Sequence, residues 1–321
     1  AFAEVELARA ETSLTYFEYG TLAAWALFSH TELDVVILEV GLGGRLDAVN
    51  VFEPDLSIVT SVALDHMDFL GETREAIGFE KAGIFRSGLP ALCADPNPPE
   101  SLLNHANAIG ADLRLIGRDF GYRNADAGWQ WWGRSREFND LPHPALRGTT
   151  QLLNASVVLA ALEVLTTRLP VAEAAVRLAL REVELLGRFQ VLPGSPQTIL
   201  DVAHNPQAVG VLAKNLSALS EASETFAVLG MLSDKDVEGA IGLIGNDIDH
   251  WLVCSLPGPR GLDAEGLAQR LRTVGVRGDI ELADSPTRGL AICRARAAAD
   301  DRIVIFGSFL TVTDVLAHRG L

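Results

Sequence analysis

Glu39 stands next to last in the apolar run DVVILEV, which leads into the turn GLGGRLDAVN carrying Arg45 and Asp47. Asp65 and His66 follow a second apolar run, LSIVTSVAL, and Asp201, His204 and Asn205 stand at the end of TILDVAHN. A carboxylate and an imidazole projecting from neighbouring strand ends can together hold a divalent cation, and Glu39 with His66 is such a pair. An Asx turn would account for LDHMDFLG equally well, and capping of the helix opened by Pro206 would account for Asp201 and His204. The three glycines also suggest a phosphate cradle, but a Walker loop needs GxxxxGK[ST]. The chain has three lysines, Lys81, Lys214 and Lys235, and none follows a glycine. The dinucleotide fingerprint GxGxxG fails as well, because Gly41, Gly43 and Gly44 are followed by Arg45, Leu46 and Asp47. What remains is an acid at the end of a strand and a flexible turn after it.

Such residues need elements that aim them. The runs at 34–40 and 56–64 are continuous, apolar and β-branched, as strands buried on both faces are. Residues 1–30 read as helix, TREAIGFEKAGIF as another, LPALCA as a short strand, and 112–142 as an antiparallel excursion. QLLNASVVLAALEVL and VAEAAVRLALREV carry apolar residues at helical spacing. After LLGRFQVLPGSPQ a second alternation begins: TILDVAHN, PQAVGVLAKNLSAL, TFAVLGML, VEGAIGLIG, HWLVCSL and RIVIFGSF, giving a sheet of four or more strands. The pattern predicts an α/β chain of two domains, 1–187 and 188–321, each with a mostly parallel sheet flanked by helices. Ligands collect at the carboxyl ends of such strands.

Composition narrows the function. The chain has 321 residues, 48% hydrophobic and 21% charged, which is ordinary for a globular protein. A net charge of −16 argues against a general nucleic-acid binder. Cys93, Cys254 and Cys293 are far apart, without CxxC spacing, so neither a disulfide framework nor a thiolate zinc site is expected; a reducing cytoplasm fits. No apolar stretch has membrane-spanning length, and AFAEVELARAETS lacks the start of a secretory signal.

EVGLGGRLDAVN, SVALDHMDFLG, EKAGIFR, GRFQVL, DVAHNP and GMLSDKD occur in this order and together resemble the folylpolyglutamate synthase and dihydrofolate synthase family of the Mur ligase superfamily. The resemblance spans essentially the whole chain. It implies a Mur-ligase-like fold and an ATP-dependent ligase that joins L-glutamate to dihydropteroate, or to a folate tail, through an acyl phosphate. It also implies magnesium held by Glu39, His66 and a carbamylated Lys81. The last requires a depressed lysine pKa, which burial provides; otherwise Lys81 reads as a surface lysine paired with Glu80. Asn154, Arg188, Asp201 and His204 match nucleotide contacts, with Arg188 reaching the phosphates when the domains close. Asp47 matches a residue that meets the pterin ring, and Lys235 and Ser308 match contacts to glutamate. The glycine turn then lets backbone approach substrate and metal. A cytoplasmic monomer is implied.

The family's GTNGKGS-like phosphate loop does not occur, and the chain starts at Ala1, so the resemblance predicts that roughly the first quarter of a typical member is missing. Impaired catalysis and an uncovered sheet edge are expected of such a fragment. Leu310 stands where a polar or aromatic residue is expected. Three alternatives remain: another Mur-type amino-acid ligase, a non-catalytic folate or nucleotide binder, and a dehydrogenase, which the failed fingerprint disfavours.

Overall fold

A computed structural model describes residues 1–125 and 128–318, and the chain divides into two compact units. The first takes in 1–142 and 153–177, the second 143–152 and 178–321.

The first unit opens with α1 (Phe2–Arg9) and α2 (Tyr16–Ser29), so the helix expected over 1–30 is two. The break falls where Ala10 turns to a positive φ of 49°, and a capping box restarts the helix: Thr15 Oγ1 accepts from Glu18 N–H while Glu18 accepts from Thr15 N–H. Then follow β1 (Ser57–Val59), α3 (Met67–Leu70), α4 (Arg74–Ala82), β2 (Pro90–Cys93), α5 (Glu100–Ile109) and β3 (Asp112–Leu115). The three strands form a parallel sheet in the order β1-β2-β3. Val59, Ile77, Ala91, Cys93 and Leu102 form its core. An antiparallel sheet of β4 (Gly121–Ala125), β5 (Gly128–Trp132) and β6 (Glu137–Leu141) follows, so the antiparallel excursion expected over 112–142 begins only after β3, which is parallel; then come α6 (Gln151–Val164) and α7 (Glu173–Glu182).

Two expectations are corrected here. The run 34–40 forms no strand: it pairs with none of the described residues, and Val35 and Ile37 stand 51% and 87% exposed. Apolar, β-branched residues become a strand only when a neighbour accepts their backbone hydrogen bonds. The second run is a strand only over Ser57–Val59. Beyond it the side chains of other elements capture the backbone, with Val62 N–H donating to Asp95 and Val62 O accepting from Arg74.

One buried carboxylate ties α6 to the β5–β6 hairpin. Glu163 accepts from the backbone N–H groups of Arg134, Ser135 and Arg136 and from the Ser135 hydroxyl, at 2.7–3.1 Å. Trp131 Nε1 donates to Ser156 O beside it. Removing the carboxylate strands three donors, so Glu163→Ala is expected to lower stability by about 2–4 kcal/mol. Urea unfolding measures this; a loss below about 0.5 kcal/mol would show that the hairpin is held some other way.

The second unit is built on β7 (Gln190–Leu192), β8 (Gln197–Leu200), β9 (Thr225–Leu229), β10 (His250–Cys254), β11 (Asp279–Ala283) and β12 (Arg302–Phe306). Its order is β11-β10-β9-β12-β8-β7, all parallel except β7 at the edge. The helices α8 (Pro206–Ser217), α9 (Val237–Gly242), α10 (Ala264–Val274), α11 (Pro286–Arg296) and α12 (Phe309–Ala317) alternate with the strands. Alternate residues of one strand enter different cores: Ala227 and Leu229 join one cluster, Phe226 and Val228 the other. Burial on both faces produces the continuous apolar runs. All three cysteines are buried, and burial pushes their thiols up, Cys93 to about 11 and Cys293 to about 12.

Candidate functional site

In the first unit the site begins at the glycine turn. Asp47 fastens it: Oδ2 accepts from the N–H groups of Gly41 and Leu42 at 3.0 and 2.9 Å, and Oδ1 from Val49 N–H at 3.0 Å, capping the short helical turn at 48–51. The turn then lies against the end of α4. Arg45 N–H donates to Glu80 O at 2.8 Å, and the Arg45 guanidinium pairs with the Glu80 carboxylate at 2.9 Å. A Cβ on Gly44 would sit 2.9 Å from Glu80 O and 3.1 Å from Lys81 O. The close backbone approach expected of the glycines is therefore an approach to the helix that carries Lys81.

This packing decides the partner of Lys81. Glu80 is taken by Arg45, so the surface pair of Lys81 with Glu80 does not form. Burial lowers the Lys81 pKa below the usual lysine value, with the Asp65 charge opposing. Neutral amine is thus more available there than on a surface lysine. His66 heads α3 with a left-handed backbone, φ 51° and ψ 41°, which a non-glycine residue adopts only when its surroundings impose it. Asp65 Oδ1 accepts the His66 N–H at 2.9 Å and lies 3.9 Å from its Nε2. That contact is to the next residue and not the two-residue reach of an Asx turn, and the imidazole is exposed. Glu39 is exposed and does not end a strand. Among the described residues no group of three or more His, Cys, Asp or Glu could hold a metal.

Beside the turn is a cleft of about 280 Å³ that sequence reasoning did not anticipate. Thr15, Phe17 and Glu18 of the first turns of α2, Phe69 and Leu70 of α3, and Leu42, Gly43 and Asp47 line it. Gly43, at φ +69°, adopts a conformation suited to glycine. The only forward signal was the T-x-x-E capping box, which fixes where α2 begins but not that Phe17 faces a cleft.

In the second unit, Asp201 follows β8. Its Oδ1 accepts from Ala203 N–H at 2.8 Å and its Oδ2 from Phe189 N–H at 3.0 Å. Burial raises its pKa, opposed by those two N–H groups and by Arg188. His204 Nδ1 lies 2.9 Å from Val202 O. Neither caps α8: Asn205 does, accepting from Ala208 N–H, which removes the capping explanation. Arg188 sits between Gly187 at φ +69° and Phe189 at φ +46°, with its guanidinium 5.5 Å from the Phe309 ring. Lys235 lies in a turn whose Ser233, Asp234 and Asp236 are exposed, but its own side chain is only 14% exposed, 3.8 Å from Asp234. Ser308 is buried and caps α12 through Leu310 N–H, and Leu310 is exposed. Asn154 lies on an exposed face of α6.

Comparison with known proteins adds to this geometry. The Mur ligase middle domain matches residues 3–118, and the Mur ligase glutamate ligase domain matches residues 187–309. The dihydrofolate synthase/folylpolyglutamate synthase of Escherichia coli (strain K12) is 43% identical over 316 residues, which is 98% of this chain and 72% of that protein. The chain belongs to the dihydrofolate synthase/folylpolyglutamate synthase family. E. coli FolC in complex with DHPP and ADP superposes with a TM-score of 0.91, covering 98% of this chain and 73% of that one. A bifunctional folylpolyglutamate synthase/dihydrofolate synthase with Mn, AMPPNP and L-glutamate bound is 42% identical, with a TM-score of 0.89, covering all of this chain and 75% of that one. The family's Mur-ligase-like α/β fold is the fold described above. Among the described residues no helix is long and apolar enough to cross a membrane.

Proposed function

We propose that this chain acts in the ATP-dependent joining of L-glutamate to dihydropteroate and to the polyglutamate tail of folates. ATP phosphorylates the acceptor carboxylate, the glutamate amine attacks the acyl phosphate, and phosphate leaves. The observation that carries this reading is the environment of Lys81, a half-buried lysine with a lowered pKa, held under the glycine turn in a chain of this family.

The residues of each unit have separate tasks. Glu39, His66 and a carbamylated Lys81 supply two anionic groups and an imidazole, a donor set that suits magnesium. The metal offsets charge on the transferring phosphoryl group. Asn154, Arg188, Asp201 and His204 bind the nucleotide, with the Arg188 cation suited to phosphate and the Asp201 carboxylate to a ribose hydroxyl. Lys235 offers a cation, and Ser308 a hydroxyl, to the amino-acid substrate. The cleft beside the glycine turn has the Phe17 and Phe69 side chains for walls, which suits a flat heterocycle such as a pterin. Asp47 spends three acceptor sites on backbone, so it shapes that cleft as well as facing it. The reading includes a functional boundary at 187 and 188, where the glutamate ligase match begins, and a monomeric, cytoplasmic enzyme.

Asp47→Ala is expected to raise the KM for dihydropteroate at least about tenfold while leaving the KM for ATP near its original value, because it loosens the cleft wall. Steady-state kinetics check this; equal effects on both substrates would contradict it. A panel of acceptors tests the function itself. Dihydropteroate and tetrahydrofolate should support glutamate-dependent ATP turnover by the complete gene product, and a muramyl-peptide acceptor should not. Turnover with the muramyl acceptor alone would assign the chain to another Mur-type reaction.

A further inference from the structure

Phe309 is the first residue of α12, and 54% of its surface is exposed. Folding does not account for that exposure, since an apolar ring gains by burial. Its neighbours do: the Arg188 guanidinium carbon lies 5.5 Å from the ring centroid, and the His204 ring lies 6.3 Å away, tilted by 52°. One aromatic ring thus touches two side chains assigned to the nucleotide.

The backbone beneath Arg188 is held on both sides. Val202 N–H donates to Gly187 O, Gly187 N–H donates to Gln190 Oε1, and Phe189 N–H donates to Asp201 Oδ2. The Cα of Arg188 is therefore fixed while its long side chain is exposed to water. Asp201 attracts it but directs both oxygens to backbone N–H groups. Among the described residues, the face of Phe309 is the contact that remains to orient the guanidinium.

We infer that Phe309 is a positioning residue for the ligase reaction, holding the Arg188 guanidinium in place for the phosphates by a cation–π contact. This rests on the assignment of Arg188 to the nucleotide. An aromatic face fixes a guanidinium without competing as an anion, so the cation's charge stays available to phosphate.

The test compares Phe309→Leu, Phe309→Tyr and Arg188→Ala in the complete gene product, measuring kcat and KM for ATP together with the thermal midpoint. Phe309→Leu is expected to lower kcat about two- to fivefold, with KM for ATP changed less than about twofold. Phe309→Tyr, which keeps the ring, should restore kcat. Because the position is exposed, the midpoint should move by less than about 2 °C in either variant. Arg188→Ala should lose about 10²-fold or more, and full activity there would overturn the nucleotide assignment itself. A large loss in Arg188→Ala with wild-type kcat in Phe309→Leu, or with Phe309→Tyr as impaired as Phe309→Leu, would overturn the role of Phe309 alone. A fall in midpoint shared by both ring variants would make the residue structural.

Discussion

Lys81→Ala is expected to lower glutamate-dependent ATP turnover by about two to three orders of magnitude, with Lys81→Arg equally impaired. The pairing of variants is the point. If Lys81 worked as a cation, arginine would preserve the charge and much of the activity. If it works as a carbamate, arginine cannot form one, and both substitutions remove an anionic ligand. Burial is what prepares the amine, because it penalises the ammonium form and so lowers the pKa from the ordinary 10.5. The sign follows: the neutral amine, which alone takes up carbon dioxide, grows as pH rises through the lowered value, and so at lower pH than on a surface lysine. Carbon-13 NMR in labelled bicarbonate should show a carbamate resonance that strengthens as pH rises and is absent from both variants. Arginine retaining more than about a tenth of the activity would contradict the carbamate.

Asp201→Ala should be the most damaging change in the second unit. It leaves the N–H groups of Phe189 and Ala203 without acceptors in a largely buried place, at a cost of about 2–4 kcal/mol. It also releases Phe189 from its left-handed backbone, and Arg188 with it, so nucleotide affinity should fall at least about tenfold. Urea unfolding and titration with AMPPNP measure the two effects. The pH dependence has a definite sign. Burial raises the folded pKa above 3.8, so the folded state binds more protons than the unfolded one between 3.8 and the raised value. This group's contribution to stability therefore declines as pH rises through that window, and Asp201→Ala should remove that slope. Stability unchanged in the variant would mean that the two N–H groups find other acceptors.

The second unit was the more legible in the sequence. TFAVLGML, HWLVCSL and RIVIFGSF declare themselves because β9, β10 and β12 are buried on both faces. The strand β11, with the sequence DIELA, escapes notice because it is an edge strand with mostly exposed side chains and residues that disfavour strands. The antiparallel β7, only three residues long, has too short a pattern to read. In the first unit DVVILEV has every local property of a strand and forms none, since pairing is a property of neighbours and not of the segment.

The candidate site was suggested by residue type and not by partner. Acidic and histidine side chains after apolar runs marked Asp65, His66, Asp201 and His204. Nothing in the spacing showed that Arg45 would occupy Glu80, that Asp47 would spend itself on three backbone N–H groups, or that Asn205 would cap α8 and leave Asp201 to Phe189. Phe17 and Phe69 are 52 positions apart in sequence and line one cleft. Long-range packing alone brings such residues together.

The acyl phosphate is the central claim, and isotope transfer tests it most directly. Dihydropteroate labelled with oxygen-18 in its carboxylate is incubated with ATP, magnesium, L-glutamate and the complete gene product, and the released phosphate is analysed by mass spectrometry. One labelled oxygen in each phosphate, formed together with the glutamylated product, is the predicted result. Ligated product with unlabelled phosphate would contradict the account.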